Sequence, residues 1–227
     1  MKKEISLQDT TRGSAQAVNA ATISFAGAAL SLLLIAALHV LKPEFDPSWR
    51  FLSEYANGRF GWVMRLSFFS MAISCASLFL AIRADVRTLA GKIGLAFLVA
   101  ASIGLTMAGM FAMDLITTPP DQVTQEGSLH GVASMIGIPS LPIAGLLISL
   151  SLGKNQDWRL ARRPLVSTAL FMCLSLIFLF AVLGIMLPKA GGFGPDVWIG
   201  WPNRILMLSY GLWLMTVSYQ AYKRSSE

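Results

Sequence analysis

Three side chains suited to acid–base chemistry lie near the ends of long apolar segments of the chain: Glu54, Asp114 and His130. A carboxylate and an imidazole that share a low-dielectric pocket shift each other's pKa, as general acid–base catalysis requires. We therefore predict that Glu54 or Asp114 acts as general acid or base and that His130 is its partner. For the three to meet, the segment that holds Glu54 must fold back toward the other two.

Further polar residues at similar positions are candidates for binding a substrate: His39, Ser53, Tyr55, Arg65 and Arg204. Arg204 carries the charge needed to hold an anion. Ionisable groups are costly at membrane depth, so they usually face a bundle interior or a wet cavity. The alternative interpretation is structural, because the same residues could meet headgroups or water, or simply tie loops to helix ends.

A metal site is a further hypothesis, with His39, His130 and one carboxylate as ligands and an open position for water. The sequence lacks the His-x-x-x-His and His-Glu-x-x-His spacings of many zinc sites, so these ligands would have to converge from separate segments. We expect no metal or other cofactor. Cys75 and Cys173 both lie inside apolar segments, where we expect free thiols.

The composition indicates a membrane protein. Hydrophobic residues make up 55% of the chain and charged residues 13%, against about 25% charged residues in soluble domains. The net charge of +6 comes from short basic clusters beside apolar segments. Such clusters orient membrane helices, and we expect no nucleic-acid partner.

Six segments are long and apolar enough to cross a bilayer, which takes about 20 residues. The sequence therefore predicts an all-α polytopic membrane bundle of six transmembrane helices, which form one domain over residues 20–222. The polar tails 1–19 and 223–227 flank it. The predicted spans are residues 20–40, 61–82, 93–113, 129–152, 164–186 and 205–221.

The basic residues predict that both termini lie in the cytoplasm, because lysine and arginine favour cytoplasmic loops. The segments predicted inside hold Lys2, Lys3, Arg12, Arg83, Arg87, Lys92, Lys154, Arg159, Arg162, Arg163, Lys223 and Arg224. The segments predicted outside hold half as many, namely Lys42, Arg50, Arg59, Arg65, Lys189 and Arg204. We expect a multi-pass protein of a bacterial inner membrane whose active face is periplasmic or extracellular.

Two segments would shape an outward pocket. In span four, Pro139 and Pro142 remove backbone donors and kink the helix, which could open a cavity beside His130. In the first outer connection, a helix over residues 49–56 would place Phe51, Leu52 and Tyr55 on one apolar face. That face gives the connection a reason to fold over the mouth of the bundle.

This connection also carries a resemblance to a known family. The run Leu38-His39, Pro43-Glu44, Asp46-Pro47, Ser53-Glu54-Tyr55-Ala56 and Gly61-Trp62-Val63-Met64 resembles the bacterial and archaeal membrane family catalogued as domain of unknown function 998. Asp114 and Leu129-His130 stand where that family has an acid after span three and a Leu-His pair opening span four. The resemblance covers nearly the whole chain and implies a six-span fold. It implies His39, Ser53, Glu54, Tyr55, Asp114 and His130 as candidate residues without implying a reaction.

The functional prediction is an integral membrane protein of undetermined activity with an outward polar pocket. One hypothesis is an intramembrane enzyme that acts on a lipid or isoprenoid by acid–base chemistry. The alternative is a non-enzymatic lipid-binding, sensing or accessory protein. A small transporter subunit is less favoured, because transporters place polar sites near the midplane. The expected partners are membrane lipids, with a homo-oligomer or a second membrane protein left open.

Overall fold

The computed structural model describes the backbone of residues 2–226 and the side chains of residues 15–225. Over these residues the chain is all-helical, which confirms the predicted fold class. The long helices are α1 (Lys2–Leu41), α2 (Gly61–Ile82), α3 (Leu89–Met110), α4 (Gln125–Leu152), α5 (Arg162–Ala190) and α6 (Gly200–Ser226). Short 3-10 helices lie at Leu52–Ala56, Pro120–Gln122 and Gln156–Trp158.

Five of these helices are long and apolar enough to cross a membrane: α1 from Ala15 onward, α2, α3, α4 and α5. Helix α6 is less apolar because it contains Arg204 and Gln220 as well as several serines and tyrosines. Of these polar side chains, Ser209, Tyr210 and Ser218 are buried within the protein. Polar side chains directed at neighbouring helices do not have to meet lipid.

The helices form a closed ring. Each helix packs on the next one along the chain, and α6 packs on α1 to complete the circle. Helix α2 also contacts α6 across the ring. We call the end that holds His39 and His130 the histidine end, and the end that holds Arg83 and Arg224 the basic end.

Small polar residues join α1 to its neighbours deep in the bundle. Ser74 donates a hydrogen bond to the carbonyl oxygen of Ser24 at 2.7 Å, and Ser218 donates to the Ser24 hydroxyl, also at 2.7 Å. A Cβ on Gly27 would lie 2.7 Å from the carbonyl oxygen of Ser70, so α1 and α2 can approach this closely only with glycine there. Close backbone approach and hydroxyl bonds of this kind stabilise helix contacts in membranes.

Helix α3 ends at Met110, three residues before the predicted end of span three, so Asp114 lies in the following connection instead of at the helix end. Side chains bind two carbonyl oxygens here, one in the last residue of the helix and one in the connection that follows. Arg65 donates to Met110 at 2.9 Å and Asn57 donates to Met113 at 2.8 Å.

The predicted tails fall partly beyond what is described. The backbone of α1 is helical from Lys2 and α6 continues to Ser226. The side chains of residues 1–14 and of Ser226 lie outside the described residues, as do the whole of Met1 and the whole of Glu227.

Helix α4 continues through both of its prolines. Pro142 has no N–H, so the carbonyl oxygen of Ile138, four residues earlier, lacks its helical donor. The hydroxyl of Tyr210 on α6 replaces that donor, at 2.5 Å from the Ile138 oxygen. The gap in α4 is therefore closed by a neighbouring helix.

Candidate functional site: a small cavity under a capping loop

Residues 42–60, which we call the capping loop, fold back over the histidine end of the ring. The 3-10 helix Leu52–Ala56 lies at its centre, with Leu52 and Tyr55 buried, as the apolar face of the segment predicted. The amide N–H of Leu52 donates to the side-chain oxygen of Asn203 at 3.0 Å. The loop is thereby fixed to the first turn of α6.

Glu54 is 0% exposed and is bound by three donors. Arg50 donates to Oε1 at 2.7 Å, the N–H of Ile116 donates to the same oxygen at 2.9 Å, and the N–H of Phe51 donates to Oε2 at 2.8 Å. Both carboxylate oxygens are therefore engaged by protein. Glu54 joins the capping loop to the connection between α3 and α4.

His39, Tyr55 and Arg204 form a second tie between the loop and the helices. The Nε of Arg204 donates to Nε2 of His39 at 2.8 Å, and one terminal nitrogen donates to the Tyr55 hydroxyl at 2.9 Å. The other terminal nitrogen donates to the carbonyl oxygens of Arg50 at 2.8 Å and Gly200 at 3.0 Å. His39 uses Nδ1 toward the carbonyl oxygen of Ile35 at 2.8 Å, so both of its ring nitrogens are engaged.

Lys42 is a residue of this end that the sequence did not single out. It is only 1% exposed. Its ammonium donates to the carbonyl oxygens of Tyr55, at 3.2 Å, and of Asn57. Burial lowers the pKa of this ammonium, while Glu44 at 3.8 Å acts in the opposite direction. A buried amine bound to carbonyl oxygens fixes the path of the capping loop.

Asp114 caps the start of α4. It accepts hydrogen bonds from the N–H of Thr124 at 2.8 Å and from its hydroxyl at 3.0 Å. A Cβ on Gly127 would collide with the Asp114 carboxylate, so glycine lets the carboxylate approach the first turn of the helix. Negative charge at a helix N-terminus is favourable.

His130 is buried, with 2% of its surface exposed. Its Nδ1 lies 2.9 Å from the carbonyl oxygen of Phe111. A carbonyl oxygen only accepts hydrogen bonds, so Nδ1 carries a proton, and in a neutral ring Nε2 would hold the lone pair. The edge of the ring packs against Phe68, with 5.9 Å between ring centroids.

A cavity of about 50 Å³ lies beneath the capping loop and beside His130. Helices α2, α3, α4 and α6 form its walls. Its polar lining residues are Ser53, His130, Ser134, Asn203 and Tyr210, and its apolar lining residues are Leu52, Met64, Phe68, Leu105, Ala108, Ala133, Ile138, Leu141 and Met207, together with Gly104 and Gly137. None of these residues is an aspartate, glutamate, lysine or arginine.

The structure thus separates the predicted site residues. Ser53 and His130 line the cavity. Glu54 and Asp114 are each bonded to backbone or to other side chains, and neither makes a hydrogen bond to His130 in the described part of the chain. Arg65 caps α3 from the side of the bundle.

The arrangement also bears on the metal hypothesis. No group of three histidine, cysteine, aspartate or glutamate side chains lies close enough to hold a metal ion among the described residues. His39 has both ring nitrogens committed. The cysteines are free, with Cys75 buried and Cys173 partly buried.

Fold and site together define the class: a helical integral membrane protein whose ring is covered at one end by a loop above a small cavity. Residues 25–220 match the family described as Protein of unknown function (DUF998), and the chain belongs to that family. No curated protein and no solved structure matches the chain.

Proposed function

We propose that this protein binds the polar end of an uncharged, largely apolar membrane molecule in the cavity beside His130. The observation that carries the proposal is the lining, which combines apolar side chains with a few uncharged polar groups and contains no charged residue. Small-molecule sites commonly have this composition. A phosphate or carboxylate would find no cation there.

The size of the cavity limits what it can hold. A space of about 50 Å³ has room for roughly three to five water molecules, at about 10–15 Å³ of this measure for each one. A terminal hydroxyl, ketone or amide with a few neighbouring atoms fits that volume. The apolar remainder of such a molecule would extend into the bilayer.

A route from the bilayer is supported by the packing of α5. The last buried residue of α5 is Leu179, and none of residues 180–190 is buried. On α4, Ser134 and Ile138 line the cavity and are only partly covered. A lipid-like molecule could therefore enter between α4 and α5 with little rearrangement.

Three kinds of group are available to the ligand. Neutral His130 accepts through Nε2. Asn203 has amide N–H groups left over, since its side-chain oxygen accepts from Leu52. Ser53 and Ser134 offer hydroxyl groups that donate or accept.

One observation favours a second candidate, an intramembrane enzyme that uses His130 as a base. The bond from Nδ1 to Phe111 orients the ring, and in a neutral ring Nε2 would be the proton acceptor. Glu54 and Asp114, predicted from the sequence as partners of this histidine, hydrogen-bond to other groups of the loop and of the α3–α4 connection among the described residues. Any such chemistry would depend on the histidine alone.

For the cellular setting, we propose the inner membrane of a bacterium with the histidine end facing outward. The distribution of lysine and arginine supports this orientation. The capping loop and the cavity would then face the periplasm or the exterior.

The test compares two phenylalanine substitutions one residue apart on α4. Ser134 lines the cavity, whereas Met135 is 79% exposed on the outside of the same helix. Full-length Ser134→Phe, Met135→Phe and unaltered protein are purified in mild detergent, and co-purifying lipids are identified by mass spectrometry. We expect an uncharged lipid that Met135→Phe retains and Ser134→Phe loses.

His130→Asn separates binding from catalysis. Loss of one hydrogen bond, about 0.5–1.5 kcal/mol, should weaken retention of that lipid by roughly two- to twelvefold. If the lipid stays bound but a chemical product found with unaltered protein disappears, the enzyme is favoured. Equal lipid retention in Ser134→Phe and Met135→Phe would refute the binding proposal.

A further inference from the structure

A second and larger cavity lies at the basic end of the ring, between α1, α2 and α6. Its volume is about 770 Å³, within the range of about 300–1,000 Å³ that is usual for ligand pockets. It is lined by Gln16, Ala17, Asn19, Ala20, Ile23, Ser77, Leu80, Ala81, Arg83, Ala84, Arg224 and Ser225. This cavity shares no residue with the one beside His130, so it is a separate site.

The charged residues of the described lining are both basic, namely Arg83 and Arg224, and none of the described lining residues is an aspartate or glutamate. The guanidinium of Arg83 makes no hydrogen bond or ion pair with any residue whose side chain is described. Within the described part of the chain, its positive charge is therefore not neutralised by a partner.

Arg224 is partly committed. One terminal nitrogen lies 2.5 Å from a carboxylate oxygen of Asp85, outside the cavity lining. Its Nε is buried and has no hydrogen-bond acceptor among the described residues. Arg224 therefore adds positive charge beside the cavity, partly balanced by Asp85.

The rest of the lining is a mixture of apolar wall and uncharged donors. Leu80 is 54% exposed and Ile23 is 50% exposed, on the helix faces that border the cavity. Gln16, Asn19 and Ser77 supply amide and hydroxyl groups near the same end. An acyl chain could lie along the apolar wall while a headgroup meets the polar rim.

From this arrangement we infer that the basic end binds the phosphate-bearing headgroup of an anionic phospholipid, with Arg83 and Arg224 as its cations. Basic pockets between membrane helices hold such headgroups on the cytoplasmic side. Free inorganic phosphate offers the same charge but no group for the apolar wall. We therefore assign the site to a lipid of the surrounding bilayer.

The experiment uses full-length protein in nanodiscs that contain phosphatidylcholine with or without phosphatidylglycerol, followed by release into detergent and native mass spectrometry. Arg83→Gln is the test variant. Arg163→Gln is the matched control, since Arg163 is an exposed arginine at the same end that does not line the cavity. Thermal unfolding of each variant verifies that it is folded.

We expect phosphatidylglycerol to remain bound to unaltered protein and to Arg163→Gln, with phosphatidylcholine bound weakly. Arg83→Gln should bind phosphatidylglycerol about fivefold more weakly, equivalent to about 1 kcal/mol for one arginine at an anionic lipid surface. Ala84→Trp, which fills the cavity without a change in charge, should lower binding as well.

Two results would overturn the inference. Equal losses in Arg83→Gln and Arg163→Gln would show a general attraction of the basic end to anionic lipid instead of a site. Displacement of phosphatidylglycerol by millimolar inorganic phosphate would show a free-anion site and not a lipid site. Neither result depends on the cavity beside His130. The proposal of an anionic lipid at the basic end is therefore tested independently of the proposal of an uncharged ligand beside His130.

Discussion

Tyr210 offers a direct test of how the proline gap in α4 is stabilised. Its hydroxyl donates to the carbonyl oxygen of Ile138 at 2.5 Å, the acceptor that Pro142 leaves without a helical partner. Tyr210→Phe removes only the hydroxyl and keeps the ring, whose burial is nearly complete. The carbonyl oxygen is then left without a donor inside the bundle.

The expected loss of stability in Tyr210→Phe follows from two energy ranges for hydrogen bonds. Interhelical hydrogen bonds in membrane proteins average about 0.6 kcal/mol and reach about 1.7 kcal/mol. A buried acceptor left unsatisfied costs about 1–3 kcal/mol. We expect Tyr210→Phe to lower the free energy of unfolding by about 1–2 kcal/mol.

Pro142→Ala supplies the second arm of a double-mutant cycle. Alanine restores an N–H at position 142, which can donate to Ile138 as in an ordinary helix. In that background Tyr210→Phe should cost less than about 0.5 kcal/mol, so the two changes couple by about 1 kcal/mol. Tyr219→Phe on the same helix, where the side chain is exposed, is the control and should cost nothing measurable.

The assay is reversible unfolding of full-length protein in mixed micelles of mild detergent and dodecyl sulfate, followed by tryptophan fluorescence. Trp213 is fully buried on α6, close to Tyr210, and reports on this part of the bundle. If Tyr210→Phe costs the same with proline and with alanine at position 142, the hydroxyl does not compensate for the missing donor and the reasoning is wrong.

Two further predictions concern the basic end and the orientation. Burial raises the pKa of Asp85, although Arg224 opposes the shift, so the folded state holds this proton more tightly and Asp85 favours folding at low pH. The free energy of unfolding should then decrease as pH rises above about 4, the ordinary aspartate pKa. Asp85→Asn should flatten that decrease when unfolding is measured across pH. An unchanged slope would show that Asp85 is not the group responsible. Reporter fusions after Asp121 should report a periplasmic or extracellular position and fusions after Asn155 a cytoplasmic one, and a cytoplasmic signal at Asp121 would reverse the proposed orientation.

The long helices could be predicted from the sequence because the pattern that indicates them is local. Long apolar segments separated by polar connections predict membrane helices whatever their neighbours are. The position of Ser53 and His130 near one end of the bundle could be predicted for the same reason, since each stands a few residues from a segment boundary. Both residues line the cavity.

Partners between distant segments could not be predicted. Glu54 was expected to meet His130, yet it accepts from the backbone of Ile116, and backbone groups give no signal in a sequence. Lys42 appeared to be one more interfacial cation, and only the path of the capping loop buries it. The role of Tyr210 could not be predicted either, because Pro142 indicates a carbonyl oxygen without a donor but does not indicate which helix supplies one.

The contact between Ser24 and Ser218 sets the earliest time during synthesis at which α6 can pack on α1 and close the ring of helices. The two residues are 194 positions apart, and ribosomes add about 5–20 residues per second. Ser218 is therefore synthesised roughly 10–40 s after Ser24, so α1 leaves the ribosome that long before α6 does. Over that interval α2 can satisfy Ser24 through Ser74, while the flank of α1 that will receive α6 remains against lipid or an insertion factor. Closure of the ring is thus the final step of biogenesis, and the seam between the first and last helices is the one that a truncated chain can never form.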